Sequence, residues 1–202
     1  MRRTIQVVVA VAAVALASAA GTTSAKAGLI KGLLGGGCGS TAPVFSHWND
    51  WSGYYFASNG GFESGSNGWR LGGGASVVSG NEPFKLSGNG SHSLRLPQGA
   101  SAQISVCYGL TYPAVRFVAG GVGGQATVHV RVVSESLLGI LSTLDGGTFT
   151  VDSGWDAAPK LSTLFSALAA PLGTKSMQLI ITSESGTAQI DDLFVDPLLS
   201  QG

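Results

Sequence analysis

The segment Ala126-Thr127-Val128-His129-Val130-Arg131-Val132 alternates apolar and polar side chains without a break. Successive side chains of a β-strand leave on opposite faces. The stretch is therefore a strand with Ala126 and the valines on one side and Thr127, His129 and Arg131 on the other. A helix cannot bury such a pattern, because its apolar stripe returns every three to four residues. The same period of two runs through Met177, Leu179 and Ile181, with Gln178 and Thr182 opposite. It recurs in Ser93–Leu96, Val115–Phe117 and Phe149–Val151. Turn-forming residues punctuate these runs: Gly60-Gly61, Gly72 to Gly74, Asn89-Gly90, Gly120-Gly121, Asp145 to Gly147 and Ser185-Gly186. Many short strands with frequent turns predict an all-β sandwich or barrel. One segment departs from the pattern. Leu161, Leu164, Phe165 and Leu168 follow helical spacing between Pro159 and Pro171, which favours one short helix over a strand followed by a loop.

The ends of the chain bear on address. Arg2 and Arg3 precede an unbroken apolar run, Val7 to Ala17, and small residues follow it. That order is the signature of a secretory signal peptide, with cleavage patterns at Ala17-Ser18-Ala19 and Ala25-Lys26-Ala27. A membrane-spanning helix needs roughly 20 apolar residues, and this run ends sooner. Cleavage after Ala27 is preferred, because the glycine-rich stretch beyond it reads as an exposed linker. The expected organisation is a signal peptide over 1–27, a glycine-rich arm over 28–44, a β-sandwich over 45–197 and a short tail over 198–202. The mature chain is expected to be secreted, extracellular and monomeric, with no transmembrane segment.

Composition narrows the partners. Residues 1–27 carry Arg2, Arg3 and Lys26, so the remainder has eight basic and eleven acidic side chains, a net charge of −3. Nucleic-acid binding requires a clustered basic surface, and anionic lipid a polybasic segment; neither is present in the sequence. The 31 glycines follow no strict period, which excludes a collagen-like helix. Cys38 and Cys107 form an even pair in an exported chain and are expected to make a disulfide that tethers the arm to a strand. A zinc site is the competing reading, but no paired Cys or His spacing supports it.

Four motifs recur in a familiar order. Asn59-Gly60-Gly61-Phe62-Glu63 is followed by Gly68-Trp69, then by Gly90 to Leu96 (GSHSLRL), and the pattern closes with Ile190-Asp191-Asp192-Leu193. Together, over about Asn59 to Pro197, they resemble the galactose-binding-domain-like jelly roll, in particular carbohydrate-binding modules of the family 4/9 type. The resemblance implies an antiparallel jelly-roll β-sandwich with at most one short helix, whose first and last strands pair and carry Phe62 and Ile190 into the core. Glu63 would then approach Asp191 and Asp192 at the sheet edge. Carboxylates brought together repel unless a positive charge lies between them. The resemblance implies a structural Ca²⁺ there, a hard cation that takes oxygen ligands; the alternative is that these carboxylates accept hydrogen bonds from turn amides.

The resemblance also implies a glycan or cell-envelope polysaccharide as partner. Aromatic faces stack on the apolar side of sugar rings while amides and charged groups bond the hydroxyls. Trp155, Tyr108 and Tyr112 lie in loop-like sequence and are the candidate platforms; the alternative for each is ordinary loop packing. Trp69 reads as core rather than platform. His129 and Arg131, joined by Arg116 and Gln178 if their strands are neighbours, are candidates for a polar binding face, or else a solvated sheet surface. The aromatic run from Phe45 to Phe56 reads either as a first strand or as a separate surface for a protein partner. No metalloprotease, nucleophile-elbow, phosphate-loop or dinucleotide motif occurs, and His47, His92 and His129 stand singly. The chain is expected to be non-catalytic. The alternative to a glycan-binding module is an extracellular structural or adhesion domain without a sugar site.

Overall fold

The computed structural model describes residues 38–108, 114–162 and 174–196. The expected signal peptide, Tyr112, most of the expected helix and the expected tail fall outside them. Leu161, at the start of that expected helix, is in a strand.

Two antiparallel sheets pack face to face. In the first, strand β12 (Ala188–Asp196) lies at the centre. On one side it pairs with β6 (Ala114–Gly121). On its other side it pairs first with β4 (His92–Leu96) and then, further along, with β1 (Tyr55–Phe56). β3 (Ser76–Ser79) extends the sheet beyond β4. β9 (Asp156–Ala157) and β10 (Leu161–Ser162) pair in turn with β6. The second sheet runs in the order β2 (Trp69–Gly72), β5 (Ser101–Ser105), β11 (Thr174–Ser185), β7 (Ala126–Ser136) and β8 (Leu141–Val151). Among the described residues the only helical turn is Ser46–Trp48. The all-β jelly-roll sandwich implied by the motif order is the fold observed.

The core fills from both inner faces, as the period of two requires. Val128, Val130 and Val132 of β7 and Met177, Leu179 and Ile181 of β11 meet Leu94, Leu96, Val115, Phe117 and Ile190 of the first sheet. A second, smaller cluster covers the outer face of the first sheet, where Phe45 and Tyr54 pack on Val118 and Phe194. The aromatic run from Phe45 to Phe56 is thus neither wholly a strand nor a free surface. Its middle is a strap across β6 and β12, and only its last two residues form β1.

Phe62 departs from expectation. It is fully buried beside Ile190, but it sits in the turn after β1 and not on a strand, with φ at 60°. The opening segment still runs along the last strand: Tyr55 and Phe56 are in register with Val195 and Phe194, and the Leu193 N–H donates to the Gly60 carbonyl at 3.1 Å. Gly60 is required by that approach, since a Cβ there would lie 2.7 Å from the Leu193 carbonyl oxygen.

Two glycine pairs expected in turns lie in strands instead. Gly120-Gly121 ends β6, and the Asp145–Gly147 stretch is a bulge within β8 opposite Val130 and Arg131. The β7–β8 turn falls at Leu137–Ile140, where Leu137, Leu138 and Ile140 are all exposed. Cys38 and Cys107 form a disulfide with their Cα atoms 5.5 Å apart, pinning the start of the described chain to the end of β5.

Candidate functional site

The outer face of the second sheet is built by strand register. Arg70 of β2 lies opposite Gln103 of β5, Gln103 opposite Ile180 of β11, Ile180 opposite Arg131 of β7, and Arg131 opposite Asp145 of β8. One row of outward residues therefore crosses all five strands, about 19 Å at the usual strand spacing. Beside it, Gln178 stands opposite Ser105 and Val133, and Thr182 opposite Ser101 and His129. Gln103 and Gln178 are hydrogen-bonded through their side-chain amides, Nε2 of Gln103 donating. A shallow depression of about 250 Å³ opens at the β2–β5 end, lined by Gly68, Arg70, Gln103, Ser105 and Gln178 among others.

His129 is held in place on this face. One ring nitrogen contacts Asp145 at 2.9 Å and the other Glu184 at 3.1 Å. Asp145 also accepts the Gly147 N–H at 2.8 Å within the bulge. That amide and His129 draw the Asp145 carboxyl below its ordinary range. The face thus presents two guanidinium groups, two side-chain amides, an imidazole and carboxylates, all fixed to a rigid sheet. Such groups hydrogen-bond hydroxyls in both directions, as donors and as acceptors. None of the in-register positions bears a Phe, Tyr or Trp ring.

The sequence-derived candidates divide. His129 and Arg131 lie on this face with Gln178, as their alternation requires. Arg116 does not: it is on β6 of the other sheet, where its guanidinium donates to Asp50 at 2.7 Å and to the Ala158 carbonyl at 2.9 Å. Trp155 is half-buried against the second cluster and lines a separate depression of about 280 Å³ with Asp152 and Asp156. Tyr108 packs at the margin of the core next to the disulfide, and burial pushes its hydroxyl pKa up. Trp69 is buried, stacked at a tilt on Phe62 with ring centroids 4.9 Å apart. The sequence does not point to Arg70 and Gln103, because only the β2–β5–β11 pairing places them in the row, and that pairing joins segments far apart in sequence.

The carboxylates expected around calcium serve other ends. Glu63 accepts from the Ser91 and His92 amides at 2.7 and 2.8 Å and from the Ser91 hydroxyl at 3.0 Å, tying its loop to the start of β4. Desolvation pushes its pKa up, but these bonds together outweigh it and lower the pKa to about 2. Asp191 and Asp192 sit at the bulge where β12 passes from β4 to β1, with Asp192 at φ 50°. They turn toward the 82–87 loop. Asp191 accepts the Glu82 and Asp192 amides, Asp192 accepts the Ser87 amide and hydroxyl, and Glu82 accepts the Phe84 and Leu86 amides. All three carboxyls are buried. Desolvation, with repulsion from its two acidic neighbours, raises Asp191 to about 7, and Glu82 is raised by desolvation and by its hydrogen bond to and repulsion from Asp192. Each of these oxygens is thus already engaged by an N–H or O–H donor. Among the described residues no three of His, Cys, Asp and Glu are placed to hold a metal ion. Glu63, Asp191 and Asp192 are thus not gathered into one such group.

No family model matches the sequence, and no curated protein matches it. Solved structures do. The CBM22-1 xylan-binding domain from Paenibacillus barcinonensis Xyn10C superposes with a TM-score of 0.53 at 15% identity, covering 74% of this chain and 97% of that one. The tandem CBM22-1–CBM22-2 domain of the same protein gives 0.51 at 15% identity, covering 75% and 46%. The CBM22-1–GH10 modules of Clostridium thermocellum endo-1,4-beta-D-xylanase 10B, complexed with xylohexaose, give 0.50 at 16% identity, covering 70% and 28%. At such identities the likeness is one of fold. The fold is that of carbohydrate-binding modules, though these three are of family 22 and not of the 4/9 type that the motif order resembles.

Proposed function

We propose that the chain is an exported, non-catalytic module that binds an extended polysaccharide across the outer face of its second sheet. One observation carries the reading: Arg70, Gln103, Ile180, Arg131 and Asp145 stand in register over five strands. A linear glycan laid across the strands meets a hydrogen-bonding group at almost every step, on a surface that pays little entropy to order itself. The fold's likeness to modules described as xylan-binding supports a β-linked backbone polysaccharide as the ligand class. Export is supported by the signal-like N-terminus and by the disulfide, which persists in oxidising compartments.

Without an aromatic platform on these rows, binding relies on hydrogen bonds that replace those to water, each worth about 1 kcal/mol net. The expected Kd for an oligosaccharide is on the order of 0.1–1 mM. Affinity electrophoresis through gels containing soluble xylan, mixed-linked glucan or galactan tests it. The wild type should be retarded in at least one, and Gln103→Ala/Arg131→Ala should lose most of the retardation. Unretarded wild type in every gel favours the second reading, a structural or adhesion domain with no sugar site, for which the lack of Phe, Tyr or Trp on these rows is the supporting observation.

A further inference from the structure

The opposite side of the sandwich holds a second polar cleft with a different construction. Alternation along β6 sends Val115, Phe117 and Ala119 into the core and Arg116 and Val118 outward, beneath the strap that contains Phe45 and Tyr54. The Arg116 side chain is only 9% exposed, with its charge 4.8 Å from the Phe45 ring centroid. Its Nη1 is spent on Asp50 and its Nε on Ala158. Asp50 is fully engaged: besides Arg116 it accepts the Tyr54 hydroxyl at 2.6 Å and the Ser52 amide at 3.1 Å. Those bonds outweigh its desolvation and hold its pKa at about 2. The remaining guanidinium nitrogen, Nη2, has no hydrogen-bond acceptor among the described residues.

Arg116 lines a cleft of about 290 Å³ together with Asn49, Asp50, Trp51, Ser52 and Lys160. Trp51 is 65% exposed, although the neighbouring aromatics Phe45 and Tyr54 are buried. Asn49, in a left-handed conformation at φ 57°, is exposed beside it. A buried donor left over at the wall of a cleft costs free energy unless a ligand or water meets it. An exposed indole face offers the apolar stacking surface that the first site lacks.

We infer that this cleft is a second carbohydrate site, taking a single pyranose unit stacked on Trp51, with a ring or hydroxyl oxygen accepting from Arg116 Nη2 and the Asn49 amide bonding a neighbouring hydroxyl. Its volume is at the lower bound for small-ligand pockets, which fits one sugar and not a stretch of chain. The inference rests on the proposed function only for the class of ligand. The two sites lie on opposite outer faces, so one molecule can hold two polysaccharide chains at once and cross-bridge them.

The test uses xylohexaose for stoichiometry and soluble xylan for cross-bridging, with Trp51→Ala and Gln103→Ala/Arg131→Ala. Trp51 is solvent-exposed, so its removal should leave the melting temperature unchanged. Calorimetry should give two equivalents of hexasaccharide per wild-type chain and one for either variant. Wild type should render xylan solutions turbid, and each variant should abolish the turbidity while still binding. Wild-type stoichiometry and turbidity in Trp51→Ala would overturn the second site. So would complete loss of binding in Gln103→Ala/Arg131→Ala. A wild type that binds one equivalent, lost only in Trp51→Ala, would keep the cleft and remove the sheet-face reading instead.

Discussion

The indole N–H of Trp69 donates to the backbone carbonyl of Asn59 at 3.0 Å. That bond joins the start of β2 to the turn that follows β1, and the Asn59 side chain completes the joint. Its Nδ2 donates to the Gly65 and Asn67 carbonyls, each at 2.9 Å, and its Oδ1 accepts the Ser64 amide at 3.0 Å. The Asn-Gly-Gly-Phe-Glu and Gly-Trp motifs are therefore a folding device. They bury Phe62 in the core, and they reach the proposed sugar face only at its β2 edge, where Gly68 and Trp69 border the depression.

Asn59→Ala should accordingly destabilise the domain by about 2–3 kcal/mol, from the three lost side-chain hydrogen bonds and the strain of Ala at a positive φ. Urea unfolding with an unchanged m-value checks it. A loss below about 0.5 kcal/mol would mean the loop is held by something else.

The strands were legible in the sequence because a half-buried sheet writes itself with a period of two. The β7–β8 turn was not, because Leu137, Leu138, Ile140 and Leu141 look like core while Asp145–Gly147 looks like a turn. Only the pairing partner shows that the glycines are a bulge. The site was half legible for a related reason. Alternation placed His129, Arg131 and Gln178 on one side of their own strands, but alternation does not say which sheet a strand joins. Arg116 alternates equally well and belongs to the other sheet. Arg70 and Gln103 entered the row only through pairings between distant segments. The placing of the acidic residues was not legible either: the bulge in β12 turns Asp191 and Asp192 toward the 82–87 loop, while Glu63 accepts from Ser91 and His92.

The disulfide closes a loop across a sequence separation of 69 residues. On the chain-entropy model its removal costs about 4 kcal/mol, a large share of the roughly 5–15 kcal/mol by which domains are stable. Cys38→Ser/Cys107→Ser should therefore show a much lower urea midpoint than the oxidised wild type, with the same sheet signal by circular dichroism in buffer. A cost under about 1 kcal/mol would place the domain's stability in its core alone.

Stability should peak on the acidic side of neutrality. Asp50 and Glu63 have pKa values lowered to about 2 in the fold, so the stability they add is present above their unfolded values near 4 and is lost as pH falls toward 2. Glu63 is largely exposed and contributes the lesser part. Asp191 works in the opposite sense. Its pKa is raised from 3.8 to about 7, so the folded state retains a proton that the unfolded chain has released, and stability declines as pH rises from about 4 to about 7. Melting temperatures should be highest near pH 4–5, with a much shallower decline toward pH 7 in Asp191→Asn. A wild-type melting temperature that climbs steadily from pH 4 to 7 would contradict the raised pKa of the buried Asp191.

Amide chemical-shift mapping of the labelled domain during titration with xylohexaose, mixed-linked glucan oligosaccharides and galactotriose examines the sheet face residue by residue. With at least one of them, shifts should concentrate at Arg70, Gln103, Gln178, His129 and Arg131 and spare the strap from Phe45 to Tyr54 on the other sheet. Titrations that move none of these five, or that perturb only positions elsewhere, would contradict glycan recognition by that row.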